Sequence, residues 1–202
     1  MVGCCNIVKY LACGSNIVYP SPCIVTGNAV FVVFEDADID QAVQAAMAAK
    51  YRNAGQTCVC ADRFLVHESV HDAFVEKLQR QVENLVVGPG MDPSTTLGPL
   101  ITSTAAEGVH EKVQKTVAQG AVCVTGGQPL ADLGANFYAP TILTNVDETS
   151  AIWATETFGP VAPIRSFATE AEALALANDS RVGLASYFCT KDLSRAFRFS
   201  KA

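Results

Sequence analysis

The sequence contains no cysteine pair at Cys-x-x-Cys spacing, no Gly-x-Gly-x-x-Gly turn and no apolar run long enough to cross a bilayer. The first absence argues against a structural zinc site, which is commonly built on paired thiols. The second leaves no glycine-rich strand-to-helix turn of the kind that cradles a dinucleotide pyrophosphate. The third argues against a membrane-spanning helix. Charge is also scarce, at 17% of 202 residues with a net charge of −6, below the usual quarter. No cluster of Lys and Arg supplies the basic footprint that a nucleic-acid partner requires. With 50% hydrophobic residues, the chain can bury a real core as one domain or part of a larger one. Lys9 is the only early cation, and polar residues break the apolar stretch around it, which does not make a signal peptide. A cytoplasmic protein is expected, with a mitochondrial setting left open for a longer form.

Cysteine itself is plentiful. Eight thiols, at positions 4, 5, 13, 23, 58, 60, 123 and 189, are crowded early and then sparse, which is no disulfide framework. Reduced thiols in a reducing compartment fit best.

Residues 1–22 form an unassigned N-terminal zone, nearly free of charge and ending in Pro20-Ser21-Pro22. From residue 23 onward the pattern is regular. Phe31 to Phe34 reads as a strand covered on both faces. Ile39, Val43, Ala46 and Met47 then recur at helical spacing behind Asp36, Asp38 and Asp40, in a helix ending near Asn53. Arg63 to Val66 is the next strand. Ser69 is expected to cap a helix with the stripe Phe74, Leu78, Val82 and Leu85, stopped by Gly88-Pro89-Gly90. Thr104-Ala105-Ala106-Glu107 reads as a capping box opening a further helix that stops at Gly120. Strands are expected at Ala121–Val124, Thr141–Val146, Val161–Phe167 and Leu184–Phe188. A capped helix opens at Thr169 and a last one near Asp192. This alternation predicts an α/β fold with an open, mostly parallel sheet and flanking helices.

The chemistry centres on Cys58, in the run Asn53-Ala54-Gly55-Gln56-Thr57-Cys58. A cysteine nucleophile needs a tight turn for exposure, nearby donors and access to the thiolate. Gly55 offers the flexibility, and Gln56, Thr57 and the turn's N–H groups offer donors. Composition alone favours a small buried hydrophobe instead. Arg52 reads equally well as a helix-end cation or as a carboxylate clamp. Cys60, two residues beyond Cys58, reads as a packed thiol or as a redox partner whose strained bridge would mask the nucleophile.

Six segments occur in order: Phe34-Glu35-Asp36-Ala37-Asp38, Arg52 to Cys60, Gly98-Pro99-Leu100-Ile101, Asn136 to Thr141, Glu156-Thr157-Phe158-Gly159-Pro160, and Asp192-Leu193-Ser194-Arg195. Together they resemble the catalytic domain of the aldehyde dehydrogenase family, and within it the succinate-semialdehyde branch. The resemblance implies NAD(P)-dependent oxidation of an aldehyde through a thiohemiacetal and a thioester on Cys58. It implies that Glu156 and Phe158 bind the NAD or NADP cofactor, and that Arg52 grips a substrate carboxylate. Residues 23–202 then correspond to a partial catalytic domain without its dinucleotide-binding domain.

Three departures from the family pattern are expected to bear on activity, one being that the sequence reaches Ala202 before the family's C-terminal segment with its inter-subunit strand. The family's general base falls on Ile24, and an aliphatic side chain cannot activate water. The donors and glycine-rich turn of a dinucleotide-binding domain have no counterpart. Little or no turnover is therefore expected of the chain by itself. Rival readings are an interaction fragment that forms a homo-oligomer or pairs with full-length subunits, and a cofactor-free thiol esterase. His67-Glu68-Ser69-Val70-His71 matches the zinc motif H-E-x-x-H. A helix start near Val70 would leave His67 off the helix, so no metal is expected there.

Overall fold

The computed structural model describes residues 27–201, so the readings on residues 1–22 and on Ile24 lie outside the described residues. Six strands, β1 (Ala29–Val33), β2 (Ala61–His67), β3 (Val122–Thr125), β4 (Thr141–Thr144), β5 (Val161–Phe167) and β6 (Ser186–Cys189), form one sheet. Its order is β3-β4-β5-β2-β1-β6. Only the β3–β4 pair is antiparallel. The helices are α1 (Ile39–Lys50), α2 (Glu68–Glu83), α3 (Ser103–Ala118), α4 (Ala151–Ala154), α5 (Glu170–Asn178) and α6 (Leu193–Lys201). This is the α/β class that the alternation predicted.

The continuous apolar run of β1 has the expected cause, since all five of its residues are buried between β2 and β6. Phe31 lies 5.3 Å from the Phe64 ring of β2 and 6.0 Å from Tyr187 of β6. Each such ring contributes roughly 1.5–3 kcal/mol by leaving water. Arg63 of β2 joins this interior although it is charged. The Arg63 guanidinium donates to the carbonyls of Leu176, Ala177, Asp179 and Asn28. It thereby satisfies the orphan carbonyls at the end of α5 while remaining buried.

Helix boundaries differ from the sequence reading where a nearer capping group wins. α2 opens at Glu68, with His67 as its N-cap: the His67 Nδ1 accepts from the Ser69 N–H, so Ser69 is inside the helix. The same helix ends at Glu83, five residues before Gly88, and Leu85 follows it. α3 is capped by Thr102, whose Oγ1 accepts from the Ala105 N–H, two residues ahead of the expected Thr104. Thr169 caps α5 as its spacing indicated, accepting from the Glu172 N–H; of the three acids ahead of α1, it is Asp38 that caps, accepting from the Gln41 N–H.

Because the five strands β1, β2, β4, β5 and β6 run in one direction, their amino ends share one side of the sheet. Gly27-Asn28 precedes β1, Cys58 precedes β2, and Glu156 to Pro160 precedes β5. Segments far apart in sequence meet there.

Candidate active site

α1 ends at Lys50, earlier than Asn53, because the chain then enters the left-handed region. Asn53, Ala54 and Gly55 have φ of 52°, 54° and 74°. A left-handed alanine costs roughly 1–2 kcal/mol, so other contacts must hold it. The Ala54 N–H donates to the Tyr51 carbonyl at 3.2 Å and the Gln56 N–H to the Asn53 carbonyl at 3.1 Å. The Asn53 amide reaches the Gln56 carbonyl, and the Gln56 amide returns to the Asn53 carbonyl. Gly55 has a second requirement: a methyl group there would stand 2.1 Å from the Gly159 carbonyl oxygen.

This strained bend presents Cys58, which is half-buried and free. Behind it, Gly27 packs its bare Cα on the turn, since a Cβ would fall 2.0 Å from the Cys58 carbonyl oxygen. The Gly27 N–H donates to Glu156 Oε1 at 3.0 Å. On the far side, the Gln56 amide donates to the Pro99 carbonyl at 3.3 Å, and its oxygen accepts from the Ile101 N–H at 2.8 Å. Leu100 in turn exchanges two hydrogen bonds with Asn136. Four of the six sequence segments therefore converge on the Cys58 turn. The other two meet at the opposite ends of the strands, where Arg195 pairs with Glu35 and Asp36.

Two clefts flank the turn. One, of about 230 Å³, is lined by Phe31, Ala45, Ala49, Arg52, Cys60 and Tyr187 among others. The other, of about 500 Å³, is lined by Asn53, Gln56, Pro99, Ile101, Asn136 and Phe158 among others. Arg52 and Phe158 thus belong to different sides of the site. Arg52 is exposed, and its guanidinium has no carboxylate partner among the described residues. Phe158 is 41% exposed with φ of 50°, a large apolar ring held out in a strained conformation.

Not every expected donor is free. Both Gln56 amide contacts are spent on the loops, and Thr57 Oγ1 lies 2.9 Å from the Cys60 sulfur. Cys60 is buried and its thiol also points to the Arg52 carbonyl at 3.9 Å. The Cys58 N–H, by contrast, has no acceptor among the described residues.

A buried set of charges lies beneath the turn. Lys50 and Asp62 pair at 2.8 Å with side chains 0% and 3% exposed. Lys112 donates to the Glu156 carbonyl at 2.6 Å and to Thr155 Oγ1 at 3.0 Å. Burial pushes the Glu156 carboxyl above its ordinary value. The Asp62 charge adds to this, while the Gly27 N–H, Lys112 and Lys50 oppose it. Burial likewise lowers the Lys112 ammonium. Sequence reading missed Lys50, Asp62, Lys112 and Gly27 as parts of the site. A lysine in the last turn of an amphipathic helix carries no signal that it will be buried.

The H-E-x-x-H histidines are engaged elsewhere. The His67 ring nitrogens contact Ser69 Oγ at 2.8 Å and the Ala168 carbonyl at 3.1 Å. His71 Nδ1 pairs with Asp72 at 2.9 Å. Among the described residues no group of three or more His, Cys, Asp or Glu side chains could hold a metal ion.

Residues 15–202 match the sequence model of the aldehyde dehydrogenase family. The chain belongs to that family. It is 49% identical over 176 residues to the glutarate-semialdehyde dehydrogenase of Pseudomonas putida, covering 87% of this chain and 36% of the relative. Identity and coverage are the same with the NADP(+) succinate-semialdehyde dehydrogenase of Escherichia coli. The crystal structure of an E. coli NADP dependent enzyme superposes with a TM-score of 0.85 at 48% identity, over 87% of this chain and 36% of that one. The chain therefore spans about a third of the length of the aldehyde dehydrogenases it matches. Among its described residues, no helix is long and apolar enough to cross a membrane.

Proposed function

We propose that the chain carries the thiol half of a cytoplasmic, NAD(P)-dependent semialdehyde dehydrogenase, with Cys58 as nucleophile and succinate semialdehyde as substrate. The observation that carries this reading is the convergence of Gly27, Gly98–Ile101, Asn136 and Glu156–Gly159 on the strained turn presenting Cys58. The relatives named as succinate- and glutarate-semialdehyde dehydrogenases support the substrate class, an aldehyde with a carboxylate at its far end. Residues 23–202 then form part of a catalytic domain.

In this reading the Cys58 thiolate attacks the aldehyde carbon, and the oxyanion of the thiohemiacetal takes the Cys58 N–H as a donor. The exposed guanidinium of Arg52 pairs with the far carboxylate from the smaller cleft, two parallel N–H groups matching two oxygens. Glu156 and Phe158 hold the nicotinamide cofactor on the other side. The fit rests on a carboxylate with one oxygen free of partners among the described residues, and on an apolar ring presented to a cleft. Bound there, the cofactor supplies the hydride acceptor. Water then releases the acid from Cys58. Cys60 serves as a redox partner under oxidation. A bridge to Cys58 requires it to leave Thr57 Oγ1, and peroxide should remove both thiols reversibly, whereas oxidation of Cys58 alone would refute the bridge.

The test is formation of reduced cofactor from succinate semialdehyde with NAD⁺ or NADP⁺, in the chain and in its Cys58→Ala variant. Turnover that vanishes with the thiol supports the reading, and turnover that survives its removal overturns it. Arg52→Ala should raise KM for the semialdehyde and leave that for an uncharged aldehyde unchanged.

A further inference from the structure

We infer that Glu156 is a general base for the water that releases the acyl group from Cys58, an inference that rests on Cys58 being the nucleophile. Position 24 holds an isoleucine, which cannot accept a proton, so hydrolysis needs a base from elsewhere in the chain. Glu156 lies beside the backbone of the Cys58 turn. Its Oε1 and the Cys58 carbonyl oxygen lie 3.3 Å and 2.0 Å from one point, the position a Cβ on Gly27 would take. Oε1 is fixed by the Gly27 N–H. Oε2 has no hydrogen-bond partner among the described residues.

The surroundings suit a held water. Asn28 Oδ1 and Thr157 Oγ1 are buried polar atoms without a hydrogen-bond partner among the described residues, and each belongs to a residue adjoining the Gly27–Glu156 bond. Buried polar groups of this kind are usually satisfied by ordered water. The charged groups facing Glu156 are Asp62 from β2, Lys112 from α3 and Lys50 from α1. Burial and Asp62 make its carboxylate more basic than an exposed one, which strengthens it as a proton acceptor.

The step balances without a further reactant. The water oxygen bonds to the thioester carbon, and its proton passes to Glu156 Oε2. The carbon–sulfur bond then breaks, Cys58 leaves as thiolate, and the carboxylic acid departs. With one oxygen anchored, the other serves one partner at a time, so this work would fall after the cofactor has left.

The experiment uses p-nitrophenyl acetate with the full chain, following p-nitrophenolate release and the Cys58 acyl adduct by intact mass. Wild type should acylate in a burst and then shed the acetyl group. Glu156→Gln keeps an acceptor for the Gly27 N–H. It should therefore retain the burst amplitude while shedding the adduct about 100-fold more slowly or worse. The wild-type deacylation rate should also rise with pH through one ionisation that the variant lacks. Equal deacylation rates, or a wild-type adduct as persistent as the variant's, would overturn the inference. No burst in wild type, or a burst that survives Cys58→Ala, would instead sink the assignment of Cys58 itself.

Discussion

The amino and carboxyl ends of the parallel strands are built on opposite plans. At the amino ends, β1, β2 and β5 are joined by backbone pressed on backbone: Gly27 on Cys58, Gly55 on Gly159, and a left-handed run from Asn53 to Gly55. The charges there are buried and paired once, as Lys50 is with Asp62. At the carboxyl ends the joints are side-chain salt bridges near water. Arg195 reaches Glu35, Asp36 and Glu170, while Arg198 shares Glu170. Asp36 also accepts from Thr190 and from the N–H groups of Lys191 and Asp192, closing the turn into α6. The first plan fixes atoms without tolerance, which suits a nucleophile. The second is redundant, so one lost contact leaves others standing.

If this contrast is right, single substitutions at the amino ends should be far more damaging. Lys50→Met strands the buried Asp62 carboxylate and should cost about 3–5 kcal/mol in urea unfolding. Adding Asp62→Leu should recover much of the loss. Gly55→Ala meets both the φ requirement and the Gly159 carbonyl, so a loss of about 3 kcal/mol is expected. Arg195→Ala should cost about 1–2 kcal/mol, reduced in high salt, because its side chain is only partly sheltered. Arg198→Ala, at an exposed position, should lie below about 0.5 kcal/mol. An Arg198 effect as large as that of Lys50 would break the comparison.

Acid should separate the ends in sign as well. Hydrogen bonds from Thr190, Lys191 and Asp192 and the Arg195 charge together outweigh burial and hold the Asp36 carboxyl below its ordinary 3.8. Its contribution is complete above that value and fades as pH falls through the lowered one. Glu156 is shifted upward from 4.5. Its contribution is complete below that value and fades as pH rises through the raised one. Stability curves should therefore show Asp36→Asn destabilising at neutral pH and converging with wild type in acid. Glu156→Gln should be slightly stabilising at neutral pH and should also converge in acid.

Much of this was legible in the sequence where one local rule governed. Continuous burial set β1, the Thr169 spacing set the start of α5, and the acidic run Asp36 to Asp40 marked the start of α1 without singling out its cap. Caps were misplaced where two candidates stood within two residues, as with His67 and Ser69 or Thr102 and Thr104, because packing chooses between them. The turn around Cys58 could be read, yet its supports could not. Glycine at 27 looks like any other glycine until the Cys58 carbonyl is seen against it. Lys50 and Asp62 are twelve residues apart with no periodicity linking them.

The Gly27–Glu156 bond spans 129 residues, and this separation governs the order of assembly. Gly27 and the Cys58 turn leave the ribosome before Glu156 and can settle on one another without it. Glu156 arrives about a hundred residues later. A nascent chain of intermediate length therefore displays the thiol before the carboxylate, and the two turns come together only when β5 is laid down beside β2.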